Sequence, residues 1–257
     1  MKKPGLTFGL VGYGRFGKLA ARLIAKEANV LVHDKRKELG KLPGNVRQAS
    51  LPEVAAQSVV ILAVPTSALK HSLHAIARFL RPHALVLDVC SVKAKPAGWM
   101  RDILPAHVNL LGTHPLFGPS SVTRSVRGHR IVLCPIRISG RMLNTVTQVL
   151  TNRGMEVLTM VPRLHDRMIA ETLFLTQFIG RMVSRAHLRR WTCSSPTYDK
   201  LLKLVEVADR DSLGLLIDLW NFNPFADKSS DALWRAHSEM RDLLNTKKKR
   251  DRSEIDS

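Results

Sequence analysis

Apolar residues fall in short runs over the first 160 or so positions and at helical spacing after that. Leu6 to Val11 is the first run, and a cluster of glycines follows it at once. Leu19, Ala20, Leu23 and Ile24 then share one side of a helix predicted over Lys18 to Lys26. Asn29 to His33 is a second short strand. Val59 to Val64 is a third, unbroken in its apolar character, as a strand covered on both faces should be. Pro65 ends it. Leu69 to Leu80 reads as a helix, Ala84 to Val89 as a strand, and Val108 to Leu111 and Ile131 to Leu133 as two more. Leu143 to Asn152 is helical again, and Glu156 to Met160 is the last strand. Strands that alternate with helices in this way predict an α/β fold, a doubly wound parallel sheet of the Rossmann type.

After Pro162 the strand pattern stops. His165 to His187, Leu201 to Val207, Ser212 to Trp220 and Ser229 to Leu244 carry apolar residues at helical spacing. The expected organisation is therefore an α/β domain over 1–161 and an all-helical domain over 162–245. The stretch 246–257, TKKKRDRSEIDS, is nearly devoid of apolar residues and is expected to be disordered.

The glycines carry the first functional signal. Gly12, Gly14 and Gly17 form GxGxxG between a predicted strand and a predicted helix. Glycine suits this turn because the chain must bend sharply, approach a pyrophosphate and pack helix on strand closely. The helix N-terminus then aims free N–H groups at the phosphates. Asp34 ends the next strand, near the spacing expected for an acid that binds a ribose. Its carboxylate favours NAD over NADP, because it repels a 2′-phosphate; Lys35 and Arg36 read as a solvated basic turn beside it, and NADP stays open. Arg15 and Phe16 in the loop, and Val64 and Pro65 at the end of the third strand, complete the candidate cofactor contacts.

Composition narrows the partners. The chain has 40 Lys+Arg against 21 Asp+Glu among its 257 residues, a net charge of +19. That favours anionic ligands. Aromatics make up only 5%, too few for single-strand stacking platforms, so nucleic acid is disfavoured. Cys90, Cys134 and Cys193 are widely spaced and odd in number, which argues against a disulfide framework or a metal site and for a reducing compartment. No apolar run is long enough for a membrane helix, and the first strand begins too early for a leader peptide. The expectation is a cytoplasmic protein with no metal.

Two further segments sit at strand ends, where ligands bind in such a sheet. One is Asp88 to Lys93 (DVCSVK). The other is Gly112 to Ser121 (GTHPLFGPSS), in which a histidine can take a proton as hydride leaves a substrate. With GLVGYGRFG before them and HDRMIAETLFLTQFIGR and SPTYDKLLKLVEVADRDS after them, these segments stand in the order and spacing of the prephenate and arogenate dehydrogenases. The chain resembles that family over residues from about 6 to 240. The resemblance implies oxidative decarboxylation of prephenate or arogenate with a nicotinamide cofactor, in tyrosine biosynthesis. It implies that His114 is the catalytic base and that Ser91 orients it. Ser120, His165, Asp166, Gln177, Arg181 and Lys203 are the implied substrate contacts. Gln177 stands where the family usually has histidine, and Lys203 where it commonly has arginine. The resemblance further implies a homodimer built on the helical domain, and no room for a fused mutase or regulatory domain. Two other readings fit the same residues: a dehydrogenase of the β-hydroxyacid type, and a non-catalytic NAD-binding protein with an anionic partner.

Overall fold

The computed structural model describes residues 6–122 and 125–255. Its first half is an eight-stranded sheet. The strands are β1 (Thr7–Val11), β2 (Asn29–His33), β3 (Val46–Gln48), β4 (Val59–Leu62), β5 (Leu85–Asp88), β6 (Asn109–Pro115), β7 (Arg130–Arg137) and β8 (Glu156–Thr159). They lie in the order β3-β2-β1-β4-β5-β6-β7-β8. The order reverses between β1 and β4, which opens a crevice at their carboxyl ends, the usual ligand site of a doubly wound sheet. Helices α1 (Arg15–Ile24), α2 (Leu51–Ala55), α3 (Thr66–Ala77), α4 (Ala94–Ile103) and α5 (Gly140–Asn152) connect the strands.

The central strands are built as a covered sheet requires. Leu10, Val60, Leu62 and Val86 are fully or almost fully buried, because helices cover both faces. Gly9 shows how tight that cover is: an added Cβ would lie 2.1 Å from the Val54 carbonyl oxygen of α2. Helix α2 begins at a capping box, in which Ser50 and Glu53 satisfy each other's backbone N–H groups. β3, α2 and α4 were not anticipated from the pattern. The first two are too short to show a period, and Pro96 and Gly98 interrupt the third. The all-parallel expectation also needs correction, because β7 runs antiparallel to β6. Among the described residues no helix joins them, and the chain returns in the opposite sense.

From Pro162 the chain is helical: α6 (Pro162–Ile169), a π-helical turn (Ala170–Phe174), α7 (Leu175–Arg185), α8 (Pro196–Arg210), α9 (Leu213–Phe222) and α10 (Ala226–Ile255). The single long helix expected over His165 to His187 is thus broken by a wider turn, a feature often found beside functional sites. Helix α10 continues through Ile255, across the stretch expected to lack structure. Lys, Arg and Glu are good helix formers, so an established helix can propagate through such a stretch without apolar contacts. Helices α7 and α8 cross at Gly180, where a Cβ would come 2.5 Å from that of Ala208.

The second core gathers Ile169, Phe174, Leu219 and Ala226 around Val92, a residue of the sheet half. Two carboxylates bind the halves together. Asp218 of α9 accepts from the backbone N–H of Thr66 (2.8 Å), at the start of α3. Asp166 of α6 does the same for α4, accepting from Lys93 (2.7 Å) and Ala94 (2.8 Å). Neither α3 nor α4 has a side-chain cap of its own at its first residue, so these acids supply what the local sequence omits.

Phe174→Ala should lower stability by about 3–5 kcal/mol, the usual cost of emptying a buried aromatic site. Denaturant titration would report this as a lower midpoint with an unchanged slope.

Candidate active site

The glycine loop lies at the point where the strand order reverses. Gly12 has φ +96°, and an added Cβ would lie 2.4 Å from the Ala63 carbonyl oxygen and 3.0 Å from Val64. Gly17 packs on Gly12, with a Cβ position 2.1 Å from its carbonyl oxygen. Gly14 is exposed and faces open space, so a ligand can approach its backbone. No side chain caps α1, and no acid sits in its first turn, so its positive end is left for an anion. This is a cradle shaped for a pyrophosphate. Asp34, at the end of β2, accepts from the Tyr13 backbone N–H (2.6 Å) and from the Arg36 side chain (2.8 Å). The Arg36 hydrogen bond, helped by backbone N–H groups, holds its carboxyl well below the ordinary range.

The second part of the site is a buried chain of polar groups. His114, near the end of β6, and His165, on α6, are 4% and 1% exposed. His114 Nδ1 lies 2.9 Å from His165 Nε2, and His165 Nδ1 lies 2.8 Å from Asp166 Oδ1. The direction of this chain follows from its end. Asp166 faces three donors, so His165 Nδ1 carries a proton and donates it. His165 Nε2 is then an acceptor, and His114 Nδ1–H donates to it. His114 Nε2 is left with a free lone pair, the form a general base requires. Both rings are pushed below the ordinary histidine range. Burial is the main cause for each; for His114, His165 and then the Lys93 ammonium add to it.

Lys93 lies beneath the histidines and is fully buried. Its ammonium pairs with Asp88 and donates to the Thr113 carbonyl (2.6 Å). The Thr113 hydroxyl donates in turn to the Asp88 carbonyl (2.6 Å). The strand ends of β5 and β6 are thus tied by the two hydrogen bonds of Thr113, one of them from the ion-paired Lys93. Asp88 Oδ1 is buried and has no hydrogen-bond partner among the described residues.

The remaining expected residues fall in different places. Val64 packs beside Gly12, and Pro65 stands exposed at the start of α3. Phe16 meets Phe117 with ring centroids 6.4 Å apart, which brings the GTHPLFGP segment onto the glycine loop. Arg15 donates to the Arg210 carbonyl, across to the helical half. Ser91 is half-buried and makes no hydrogen bond to His114; the orienting partner of His114 is His165. His165 and Asp166, expected to touch substrate, are buried, and both Asp166 oxygens accept hydrogen bonds within the protein. Gln177 is buried and donates to Asp211 (2.8 Å). Arg181 binds the Ala208 and Asp211 carbonyls, closing the end of α8. Ser120 and Lys203 are exposed. Lys93 and Asp88 were not singled out in advance. Their signal was present in DVCSVK, where two opposite charges flank a short apolar stretch at a strand end.

The fold and this cradle define a Rossmann-type nucleotide-binding protein with a helical second half. The family model described as "Prephenate dehydrogenase, nucleotide-binding domain" matches residues 21–159, just over half of the chain. The chain belongs to this family. It is similar to arogenate dehydrogenase 1, chloroplastic, of Arabidopsis thaliana, at 28% identity over 86% of this chain and 36% of that protein. Arogenate dehydrogenase 2, chloroplastic, of the same plant is 26% identical over 95% of this chain and 71% of that protein. The chain therefore spans only about a third of the length of the first of these relatives. A prephenate dehydrogenase from Aquifex aeolicus, solved with hydroxyphenyl propionate and NAD+, superposes with a TM-score of 0.73 at 18% identity, over 96% of this chain and 93% of that one. No described helix is long and apolar enough to cross a membrane.

Two outcomes test this network. Lys93→Met leaves the Asp88 carboxylate buried without its partner, and should cost about 3–5 kcal/mol in denaturant unfolding. The histidines give a pH signature. Their folded-state proton affinity lies below that of the unfolded chain, so the unfolded state gains protons first as pH falls. Stability contributed by the pair is whole above about pH 6.5, the ordinary histidine value, and drains away below it. Melting temperatures between pH 8 and 5.5 should fall on the acid side, and His114→Asn should flatten that slope relative to the unaltered protein.

Proposed function

We propose that the chain is a dehydrogenase that oxidises prephenate or arogenate, with loss of CO2 and formation of an aromatic ring, and that NAD is its cofactor. One observation carries the reading: the directed chain Asp166–His165–His114, which leaves a neutral imidazole nitrogen free at a sheet end beside the glycine loop. Family membership and the likeness to the arogenate dehydrogenases support it. They do not favour a β-hydroxyacid dehydrogenase or a non-catalytic binder.

The glycine cradle fits the pyrophosphate of a dinucleotide, with Gly12, Gly14 and Gly17 as the close approaches and Asp34 toward the adenosine ribose. The nicotinamide ring, when bound, supplies the hydride acceptor. His114 Nε2 takes the proton of the substrate's ring hydroxyl. The positive charge that develops on His114 is shared along the chain, because His165 accepts from its Nδ1 and Asp166 holds His165 in turn. Burial keeps His114 uncharged before the reaction and therefore ready to accept a proton. Lys93 assists by disfavouring a resident proton there. His165 and Asp166 act in this scheme as positioning residues. Ser91, Ser120, Gln177, Arg181 and Lys203 remain candidates for substrate contact.

Nicotinamide absorbance with prephenate and with arogenate checks the activity directly. His114→Asn should still bind NAD and lose about 10² to 10⁴ in kcat, the usual worth of a general base. His165→Ala should lower kcat less, with little change in KM, because it removes the acceptor for His114 Nδ1 and touches no substrate. The acid limb of kcat/KM in the unaltered enzyme should lie below about pH 6.5. Turnover by His114→Asn at the unaltered rate would overturn the assignment.

The helical half is proposed to form a homodimer. Met168, Ile217, Trp220, Trp234, Leu243 and Leu244 stay exposed, a large apolar surface for a monomer. Two-fold pairing is the commonest way to bury such a face. Light scattering at micromolar concentration should give twice the chain mass, and Leu243→Lys with Leu244→Lys should shift it toward one. A cytoplasmic location is proposed from the sequence alone, on its three widely spaced cysteines.

A further inference from the structure

Arg15 joins the glycine loop to the helical half. It is the first residue of α1 and is exposed. Its guanidinium leaves the cradle and donates through Nη1 to the carbonyl of Arg210, the last residue of α8. Opposite helix ends meet across this bond. Arg15 starts at the positive end of α1, where neither a capping side chain nor an acid takes the free N–H groups. It finishes at the negative end of α8, where the final carbonyls lack helical partners. Arg181 donates to the Ala208 and Asp211 carbonyls at that end (2.9 and 2.7 Å). Gln177 holds the Asp211 carboxylate from α7 (2.8 Å).

The corner so held is not saturated. Gln177 Oε1 and Arg181 Nε are both buried without a hydrogen-bond partner among the described residues. Buried polar groups are nearly always paired, so an acceptor and a donor one helical turn apart mark a place for a polar guest. Gln177 and Arg181 are candidate substrate contacts, and the end of α8 is thus a candidate wall of the ring-substrate site.

A guanidinium carries five N–H donors, and Arg15 engages one of them, on Arg210, among the described residues. The others are open to an anion, and the cradle shaped for a pyrophosphate lies where Arg15 begins. An exposed bond from a long side chain is weak by itself, because ordering the side chain offsets most of what one bond contributes. A phosphate gripped by the same guanidinium orders it once for both contacts, and the second contact then forms at lower entropic cost.

We propose that Arg15 is a positioning residue that couples the two ligands. With a dinucleotide in the cradle, its guanidinium holds the pyrophosphate and the end of α8 together. The wall formed by Gln177, Arg181 and Asp211 is firmed in this way, so that each ligand raises the affinity for the other. The coupling deepens the dehydrogenase reading and rests on it only for the identity of the ring ligand.

Two probes test this without turnover. ADP-ribose carries the pyrophosphate and no nicotinamide. Hydroxyphenyl propionate, the ring ligand of the Aquifex aeolicus structure, carries a ring and a carboxylate. Calorimetric titration of the unaltered protein should find hydroxyphenyl propionate bound about fivefold or more tightly with ADP-ribose present than without it. Arg15→Ala should bring that factor to about one, with the ring ligand alone bound nearly as before. Arg15→Lys should fall between, since it keeps the charge and loses the fork. A merely structural role for Arg15 predicts instead that Arg15→Ala weakens the ring ligand equally with and without ADP-ribose. Hydrogen exchange supplies a second measurement that needs no ring ligand. Saturating ADP-ribose should slow exchange of the backbone N–H groups at 207–210, the last turn of α8, in the unaltered protein and leave them unchanged in Arg15→Ala. The proposal is overturned if ADP-ribose fails to raise the ring-ligand affinity of the unaltered protein, if the factor survives in Arg15→Ala, or if the end of α8 responds to ADP-ribose in neither protein or alike in both. Failure of hydroxyphenyl propionate to bind at all, with the exchange pattern intact, would instead count against the dehydrogenase reading and leave the bridge from cradle to α8 standing.

Discussion

The Asp166 carboxylate accepts from the first turn of α4 and from the His165 imidazole at the same time, and this double engagement fixes both the packing of the two halves and the direction of the proton chain. Oδ2 caps the helix through Ala94; Oδ1 is shared between Lys93 and His165. A further bond, from the Asn223 side chain to the Asp166 carbonyl at 2.8 Å, anchors the backbone that presents it. A rotation of α6 against the sheet half would therefore uncap α4 and misdirect the histidines together. Burial makes the arrangement stringent, because a carboxylate out of water tolerates no lost partner.

Beside these groups, a buried ion pair performs a complementary task. Lys93 and Asp88 cancel each other's charge, yet the ammonium lies on the histidine side, where it opposes protonation. Asp166 favours a proton on His165, and Lys93 disfavours one on His114, so the two act in opposite senses on the histidine pair. In the proposed reaction Asp166 would stabilise the imidazolium once formed, through His165, and Lys93 would help keep it from forming early. A base balanced in this way would exchange a proton in each turnover without holding one at rest.

The glycine loop was legible in the sequence because all of its determinants are local: a turn at positive φ, a close approach and a free helix end lie within a few residues of Gly12. His114 stood out only through its motif and the resemblance it carries. Its partner was hidden, since 51 residues and a change of half separate it from His165, and no periodicity links the two. Lys93 was hidden for another reason. Lysine is almost never fully buried, so composition alone assigns it to solvent. Arg36 is exposed, as a solvated turn requires, but its bond to Asp34, two positions back, leaves no trace in a hydrophobic pattern. Strand direction in β7 was equally silent, because alternation of apolar residues says nothing about which way a strand runs.

Helices α3 and α4 begin at residues that cannot cap themselves, and both borrow an acid from the opposite half of the chain. Val92 likewise finds its apolar neighbours there. The nucleotide-binding half is in this sense unfinished as a module: cut away, it would present two bare helix ends and an uncovered valine to water. A helical half put in place of this one would have to bring acids where Asp166 and Asp218 stand. The two halves are thus one unit for stability, a restraint set by hydrogen-bond accounting at two helix starts.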